Sequence, residues 1–300
     1  MGKLVLEGLK DFSPEQTFEC GQCFRWNREA DGSYTGVVGK CIANIKALQL
    51  SDKARRSSDE AGEYAASIEI TTSGEEPDLA FWENYLDLGR NYGAVKERLT
   101  VSDPVIAEAV SCGAGIRILR QDAWETLISF IISQNSNIPR IKRCIESLCA
   151  SFGEKAGNYK GKEYFSFPTP EALASLTQED ISPVRLGYRA PYITATAEKV
   201  SSDGIERLDS MKNLSYEDAL DYLTGFPGVG PKVASCVLLF GGGHFESFPV
   251  DVWVRRVMNR LYGFCESDIG GMRHFAAEHF KDLGGIAQQY LFYYIRETEK

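Results

Sequence analysis

Lys232 closes the stretch Leu223-Thr224-Gly225-Phe226-Pro227-Gly228-Val229-Gly230-Pro231-Lys232, and Pro249-Val250-Asp251 follows it. Glycines let backbone N–H groups approach a phosphate closely. A lysine beside them has two possible roles: a phosphate ligand, or an amine nucleophile if kept neutral. Lys232, Cys236 and Phe240 fall at i, i+4 and i+8, so they share one helical face. That stripe could line a pocket for a flat, mostly apolar ligand. The same spacing also suits two core residues and one exposed lysine. A first-turn position at the positive end of the helix dipole, and a desolvating pocket, both favour the free amine. Asp251 is placed as an N-cap, and a cap is held rigidly, as a catalytic carboxylate must be. His244, His274 and His279 show neither triad nor metal-ligand spacing.

The elements that must position these groups are legible around them. Ser215 with Asp218 resembles a capping box, opening a helix that ends at Gly225. The chain restarts as helix at Pro231, which gives helix, tight glycine hairpin, helix. Upstream, Asp122 can cap a helix through Trp124, Leu127, Ile128 and Ile131, and the polar knot Ser133–Asn137 interrupts it. Asn137 then reads as an N-cap with Pro139 in the first turn, and Ile138, Ile141, Ile145 and Leu148 form one buried stripe. Thr169-Pro170 starts a further helix, and Leu186–Pro191 is a break between helical patterns. Residues 1–75 read differently. Asp31-Gly32-Ser33 is a turn signal, Ala43, Ile45 and Ala47 alternate with Asn44 and Lys46, and Ile68 and Ile70 alternate with Ser67, Glu69 and Thr71. From Leu79 onward the signals are helical. The expected class is α+β: an N-terminal antiparallel β-sheet subdomain, residues 1–116, followed by mostly α-helical subdomains, residues 117–300.

Composition narrows the function classes. The chain has 300 residues, 43% apolar and 25% charged, an ordinary soluble balance with enough length for a proper core. Its longest apolar run, near Leu127–Ile132, is far short of a membrane span. The start, Met1–Leu6, lacks the h-region of a signal peptide, and Leu6 breaks the myristoylation pattern. The eight cysteines are therefore read as reduced thiols; Cys20 and Cys23 form a CxxC with no second pair at zinc-ribbon spacing. An intracellular protein with no metal and no cofactor is expected, in cytoplasm or nucleoid if prokaryotic and in the nucleus if eukaryotic. Net charge is −9, but residues 117–200 carry 11 bases and 9 acids, a local +2. That segment is the better polyanion binder. The acids between Asp59 and Asp87, with no Lys or Arg among them, read as a solvated face.

The segment Gly225–Ala234 with Pro249-Val250-Asp251-Val252 resembles the helix-hairpin-helix and GPD region of base-excision DNA glycosylases. Within that superfamily the chain is most similar to the 8-oxoguanine DNA glycosylases. Cys20-Gly21-Gln22-Cys23-Phe24-Arg25-Trp26, Phe130–Ile141, Leu186–Tyr192 and Ala287–Phe292 resemble further segments of that family, in family order. The resemblance implies that Lys232 attacks C1′ of the damaged nucleotide, forms a Schiff base and permits β-elimination, with Asp251 supporting the cationic sugar. It implies that Gly21 offers its carbonyl to the N7–H that 8-oxoguanine has and guanine lacks. Cys236 and Phe292 would then sandwich the extruded ring, Phe240 would complete the pocket and Gln288 would read the pairing edge. Asn135 would fill the hole in the duplex, Arg140 and Arg189 would read the orphaned cytosine, and Tyr188 would wedge beside it. Phosphate binding or surface pairing would use the same two guanidinium groups. Gly228, Gly230 and Val233 would hold a phosphate through backbone N–H groups. Trp253, where many relatives carry His, falls in the same DNA-contacting set. The implied partner is duplex DNA containing 8-oxoguanine, met by a monomer away from any membrane. A glycosylase for another damaged base, or a non-catalytic hairpin protein that only binds DNA, are the alternatives.

Overall fold

The structure is a computed structural model, and it describes residues 1–48, 66–74 and 77–299. Of the acidic stretch read as a solvated face, residues 59–65 and 75–76 lie outside the described residues. The α+β class is as expected. Strands β1 (Gly2–Leu9), β2 (Asn27–Arg28), β3 (Tyr34–Val38), β4 (Cys41–Leu48) and β5 (Ala66–Thr72) form one antiparallel sheet of order β1-β5-β4-β3-β2. Its register sets Ile45 opposite both Tyr34 and Ile70. Ile68 and Ile70 are buried while Ser67, Glu69 and Thr71 stay partly exposed, which is the alternation of a half-buried strand. β4 departs from that reading. Asn44 is buried, because its amide donates to Ser33 Oγ at 2.8 Å and to Thr35 Oγ1 at 2.9 Å, whereas Ala47 is exposed. A second small core of Phe18, Trp26, Tyr34, Trp82 and Leu86 lies on the sheet.

Helices follow: α1 (Pro14–Glu19) lies between β1 and β2, and α2 (Leu79–Tyr85), α3 (Tyr92–Ser102), α4 (Ala107–Cys112), α5 (Ala123–Ser133) and α6 (Ile138–Phe152) come after β5. An unforeseen hairpin, β6 (Lys155–Tyr159) with β7 (Lys162–Phe165), interrupts the helices. Its sequence has no apolar alternation; it is held by Tyr164 packing on Val37 and Ile42 of the first sheet. Then come α7 (Pro170–Ala174), α8 (Gln178–Ile181), α9 (Ala190–Asp203), α10 (Ile205–Asp209), α11 (Tyr216–Thr224), α12 (Pro231–Phe240), α13 (Val252–Tyr262), α14 (Ile269–His279) and α15 (Gly284–Thr298).

Local chemistry starts these helices where the sequence places them. Asp122 accepts from Glu125 N at 2.7 Å, Asn137 from Arg140 N at 3.0 Å and Ser215 from Asp218 N at 3.1 Å. Each such cap contributes about 1 kcal/mol. At Ser215 the reciprocal half of the box is replaced: its hydroxyl donates to the Asp218 carboxylate at 2.7 Å. Ile141, Ile145 and Leu148 of α6 are buried and Arg140 and Arg143 exposed, so the stripe turns inward as read. The large core beneath it gathers residues from both ends of the chain, including Cys20, Phe24, Ile106, Leu127, Cys236 and Tyr290. All eight cysteines are free thiols. Among the described residues, no helix is long and apolar enough to cross a membrane.

Candidate active site

The N-terminus of α12 is built by its hairpin. Gly225 ends α11, and Gly228 takes a φ of +74° that L side chains rarely adopt. A Cβ at Gly228 would meet the Tyr192 ring of α9 at 2.4 Å, so the turn needs glycine for conformation and for space. Gly230 is the N-cap of α12 and offers no side-chain cap, leaving the first-turn N–H groups available to an anion. Gly230 is exposed and Val233 is buried beneath it.

Two residues on, Lys232 enters a cavity of about 50 Å³ lined also by Gly21, Cys236, Phe240, Asp251, Gln288 and Phe292. All seven residues assigned to catalysis and base binding thus meet at one place, though they span from residue 21 to residue 292. Lys232 forms no ion pair among the described residues; its Nζ lies 5.4 Å from the centre of the Phe130 ring, which stacks on Phe240 at 5.5 Å. Burial pushes the Cys236 thiol up, against the opposing pull of the adjacent Lys232 amine, so the sulfur is a neutral, polarisable wall. Asp251 caps α13, its Oδ1 accepting from Val254 N at 2.8 Å, and it lines the cavity from there. Gln288 is buried, and its Oε1 has no hydrogen-bond partner. An unpartnered amide oxygen in a cavity wall is costly unless a ligand satisfies it. Gly21, at φ +82°, sits so close to Phe292 that a Cβ would stand 3.1 Å from its ring. The cavity is well below the roughly 300 Å³ at which small-molecule sites begin. A ligand the size of a planar base would therefore require the lining to move.

Of the residues assigned to the duplex, Asn135, Tyr188 and Arg189 come together. Asn135 is exposed and left-handed, φ +46°, at the end of α5. Arg189 is 4% exposed: its Nε donates to the Gln134 carbonyl at 2.8 Å, and its Nη2 to that carbonyl and to Asn135 O. Tyr188 is 53% exposed and lies beside the same guanidinium. Arg140 is exposed and its guanidinium makes no bond among the described residues. Trp253, in the first turn of α13, is half-buried with Arg256 stacked on it.

Sequence reasoning missed four lining residues, Cys20, Phe130, Pro249 and Gln289. Phe130 stood in the apolar run before the polar knot with nothing to mark which face it took. Gln289 carried a signal, a second glutamine in the otherwise apolar run from Ile286 to Ile295. A larger cavity of about 1020 Å³ lies beside α3 and α4, but its cations are engaged: Lys96 pairs with Asp11, and Arg117 donates to the carbonyls of Asp87 and Lys10.

Comparison with known proteins decides the family. Residues 5–127 match the 8-oxoguanine DNA glycosylase N-terminal domain, and residues 128–276 match the HhH-GPD superfamily of base excision DNA repair proteins. The chain is 32% identical over 219 residues to a probable N-glycosylase/DNA lyase of Methanothermobacter thermautotrophicus, covering 66% of this chain and 69% of that protein. The chain belongs to the 8-oxoguanine DNA glycosylase family. Two solved structures of the 8-oxoguanine glycosylase type share its fold throughout. One is MBOgg1 in complex with a low-affinity DNA ligand, 45% identical, TM-score 0.88, covering 100% of this chain and 97% of that one. The other is the Clostridium acetobutylicum 8-oxoguanine glycosylase/lyase with double-stranded DNA containing cytosine opposite 8-oxoguanine, 36% identical, TM-score 0.88, with the same coverage. The Arabidopsis thaliana N-glycosylase/DNA lyase OGG1 is 31% identical over 244 residues, 80% of this chain. The chain spans 64% of the length of that relative and 42% of a Saccharomyces cerevisiae N-glycosylase/DNA lyase.

Proposed function

We propose that this chain is a bifunctional DNA glycosylase/lyase that excises 8-oxoguanine, preferably opposite cytosine, from duplex DNA. The observation that carries the reading is the cavity itself. It brings an amine without a carboxylate partner, a fixed carboxylate and an unsatisfied pairing-edge acceptor within reach of one extruded base. Reaching a base atom requires taking it out of the stack. Lys232 Nζ attacks C1′; the bond from C1′ to the base breaks, and its electron pair leaves with the base, which takes up a proton. The sugar ring opens as the amine becomes a C1′ Schiff base. Loss of a C2′ proton then expels the 3′ phosphate. Asp251 stabilises the cationic sugar without having to move, which is the economical form of electrostatic catalysis. The neutral Cys236 thiol and the Phe292 ring pack the base faces, Gln288 Oε1 accepts from its pairing edge, and Gly21 O accepts from N7–H. Guanine presents a lone pair there, so the same carbonyl repels it.

The α12 N-terminus at Gly228, Gly230 and Val233 takes a phosphate, fixing register without reading sequence. Asn135, Arg140, Tyr188, Arg189 and Trp253 form the duplex-facing set. We assign the sheet-bearing unit to residues 1–116 and the glycosylase unit to 117–300; the family matches divide eleven residues later, inside α5.

Borohydride trapping on a panel of lesion duplexes tests the chemistry. A covalent adduct with an 8-oxoguanine duplex is expected from the natural chain and none from Lys232→Gln. An adduct that survives in that variant excludes Lys232 as the nucleophile. Preference for another lesion excludes the substrate. For the opposite base, Arg189→Ala should lower excision opposite cytosine more than opposite adenine, because an arginine fork matches a base edge. An unchanged ratio of the two rates removes Arg189 from that role.

A further inference from the structure

Three consecutive carbonyls surround the turn at Gly21, and two of them are held by side-chain amides. Gln289 Nε2 donates to Cys20 O at 2.6 Å, and Gln121 Nε2 donates to Gln22 O at 2.7 Å. The Gly21 carbonyl between them accepts no hydrogen bond among the described residues, and Gly21 lines the cavity. The rest of the turn is equally tied. Gln22 is fully buried; its amide donates to Thr17 O at 2.8 Å and Arg117 O at 2.7 Å, and its Oε1 accepts from Leu119 N at 2.8 Å. Cys20 Sγ donates to Thr17 O at 3.1 Å.

We infer that Gln289 is a positioning residue for lesion discrimination, holding the peptide plane that precedes the Gly21–Gln22 peptide while Gln121 holds the one that follows it. The inference rests on the reading that Gly21 O meets the base. Gln289 is 2% exposed, on α15, the helix that also carries Gln288 and Phe292. The neighbours Gln288 and Gln289 thus split the work: one lines the cavity with a free acceptor, and the other grips the loop opposite. One rigid helix thereby fixes the distance between the pairing-edge acceptor and the N7-reading carbonyl. Discrimination between a donor and a lone pair depends on that alignment, since hydrogen bonds weaken steeply off axis. Without its brackets, a glycine peptide at positive φ has freedom to rotate away.

The test compares two single-turnover rates: excision of 8-oxoguanine opposite cytosine, and strand cleavage at a preformed abasic site opposite cytosine. The second uses Lys232 but has no base to read. Gln289→Met keeps the side chain's length and burial and removes the donor. The ratio of excision to abasic-site cleavage is expected to fall roughly ten-fold, as for one lost hydrogen bond. Gln121→Met reads the opposite bracket and is expected to lower the same ratio; it carries the test if Gln289→Met does not fold. Equal losses in both rates, or an unchanged ratio in the variants that fold, overturn the inference while the functional reading stands. A natural chain that excises no 8-oxoguanine overturns the reading beneath it.

Discussion

Asp251 caps a helix and is proposed for catalysis, two tasks that one substitution can separate. Its carboxylate caps α13, and it faces the cavity that holds Lys232. Asparagine caps about as well as aspartate. Asp251→Asn should therefore leave the melting temperature close to that of the natural chain while base excision falls at least about 100-fold, the usual cost of removing one preorganised electrostatic partner. Asp251→Ala should lose the activity and about 1 kcal/mol of stability together. A full rate in the Asp251→Asn variant would confine this residue to capping; melting curves and single-turnover excision decide it. At this scale the site was largely legible. The i, i+4, i+8 stripe of Lys232, Cys236 and Phe240 follows from helical geometry alone. Phe130 and Gln289 could not be read that way, because their place in the cavity depends on how α5 and α15 pack against α12.

Among the elements, the hairpin between α11 and α12 tolerates little change. Gly228→Ala forces a side chain into a left-handed backbone and into the Tyr192 ring. The cost should exceed about 1 kcal/mol. If the hairpin N–H groups hold a phosphate as proposed, DNA affinity should fall with it; denaturant unfolding and duplex binding at fixed salt check both. Retention of both at natural values would show that α9 can retreat from the turn. Helix starts were readable because a cap is settled among four neighbouring residues, as at Asp122, Asn137 and Asp251. The β6–β7 hairpin was not. Its residues carry no alternation, and what fixes it is Tyr164 against Val37 and Ile42, over a hundred positions away in sequence. Asn44 was misplaced for a similar reason: only the neighbouring hydroxyls of Ser33 and Thr35 make its burial acceptable.

For the molecule as a whole, Arg25 ties the halves together. It is 3% exposed, donates to Phe165 O of β7 at 2.5 Å, and faces Glu125 of α5 at 3.6 Å and Glu146 of α6 at 3.8 Å. Burial pushes the Glu125 carboxyl up to about 7, with Arg25 only partly opposing it. Its folded value lies above the unfolded one, so its contribution is fully present below the ordinary carboxylate range and is lost as pH rises through about 7. Glu125→Gln should thus gain stability relative to the natural chain between pH 5 and pH 8 as roughly bracketing conditions. Thermal melts at both values test it, and a constant difference would mean that Glu125 stays charged throughout. Net charge was a poor guide to a polyanion partner at this scale; the local +2 of residues 117–200 covers Asn135, Arg140 and Arg189, the residues proposed for the duplex. Arg189 has a last consequence. With its guanidinium already folded onto the Gln134 and Asn135 carbonyls, Arg189 must give up bonds within the chain before it can reach any outside acceptor. Any reading of a base by Arg189 would thus carry a cost that the unengaged guanidinium of Arg140 would not.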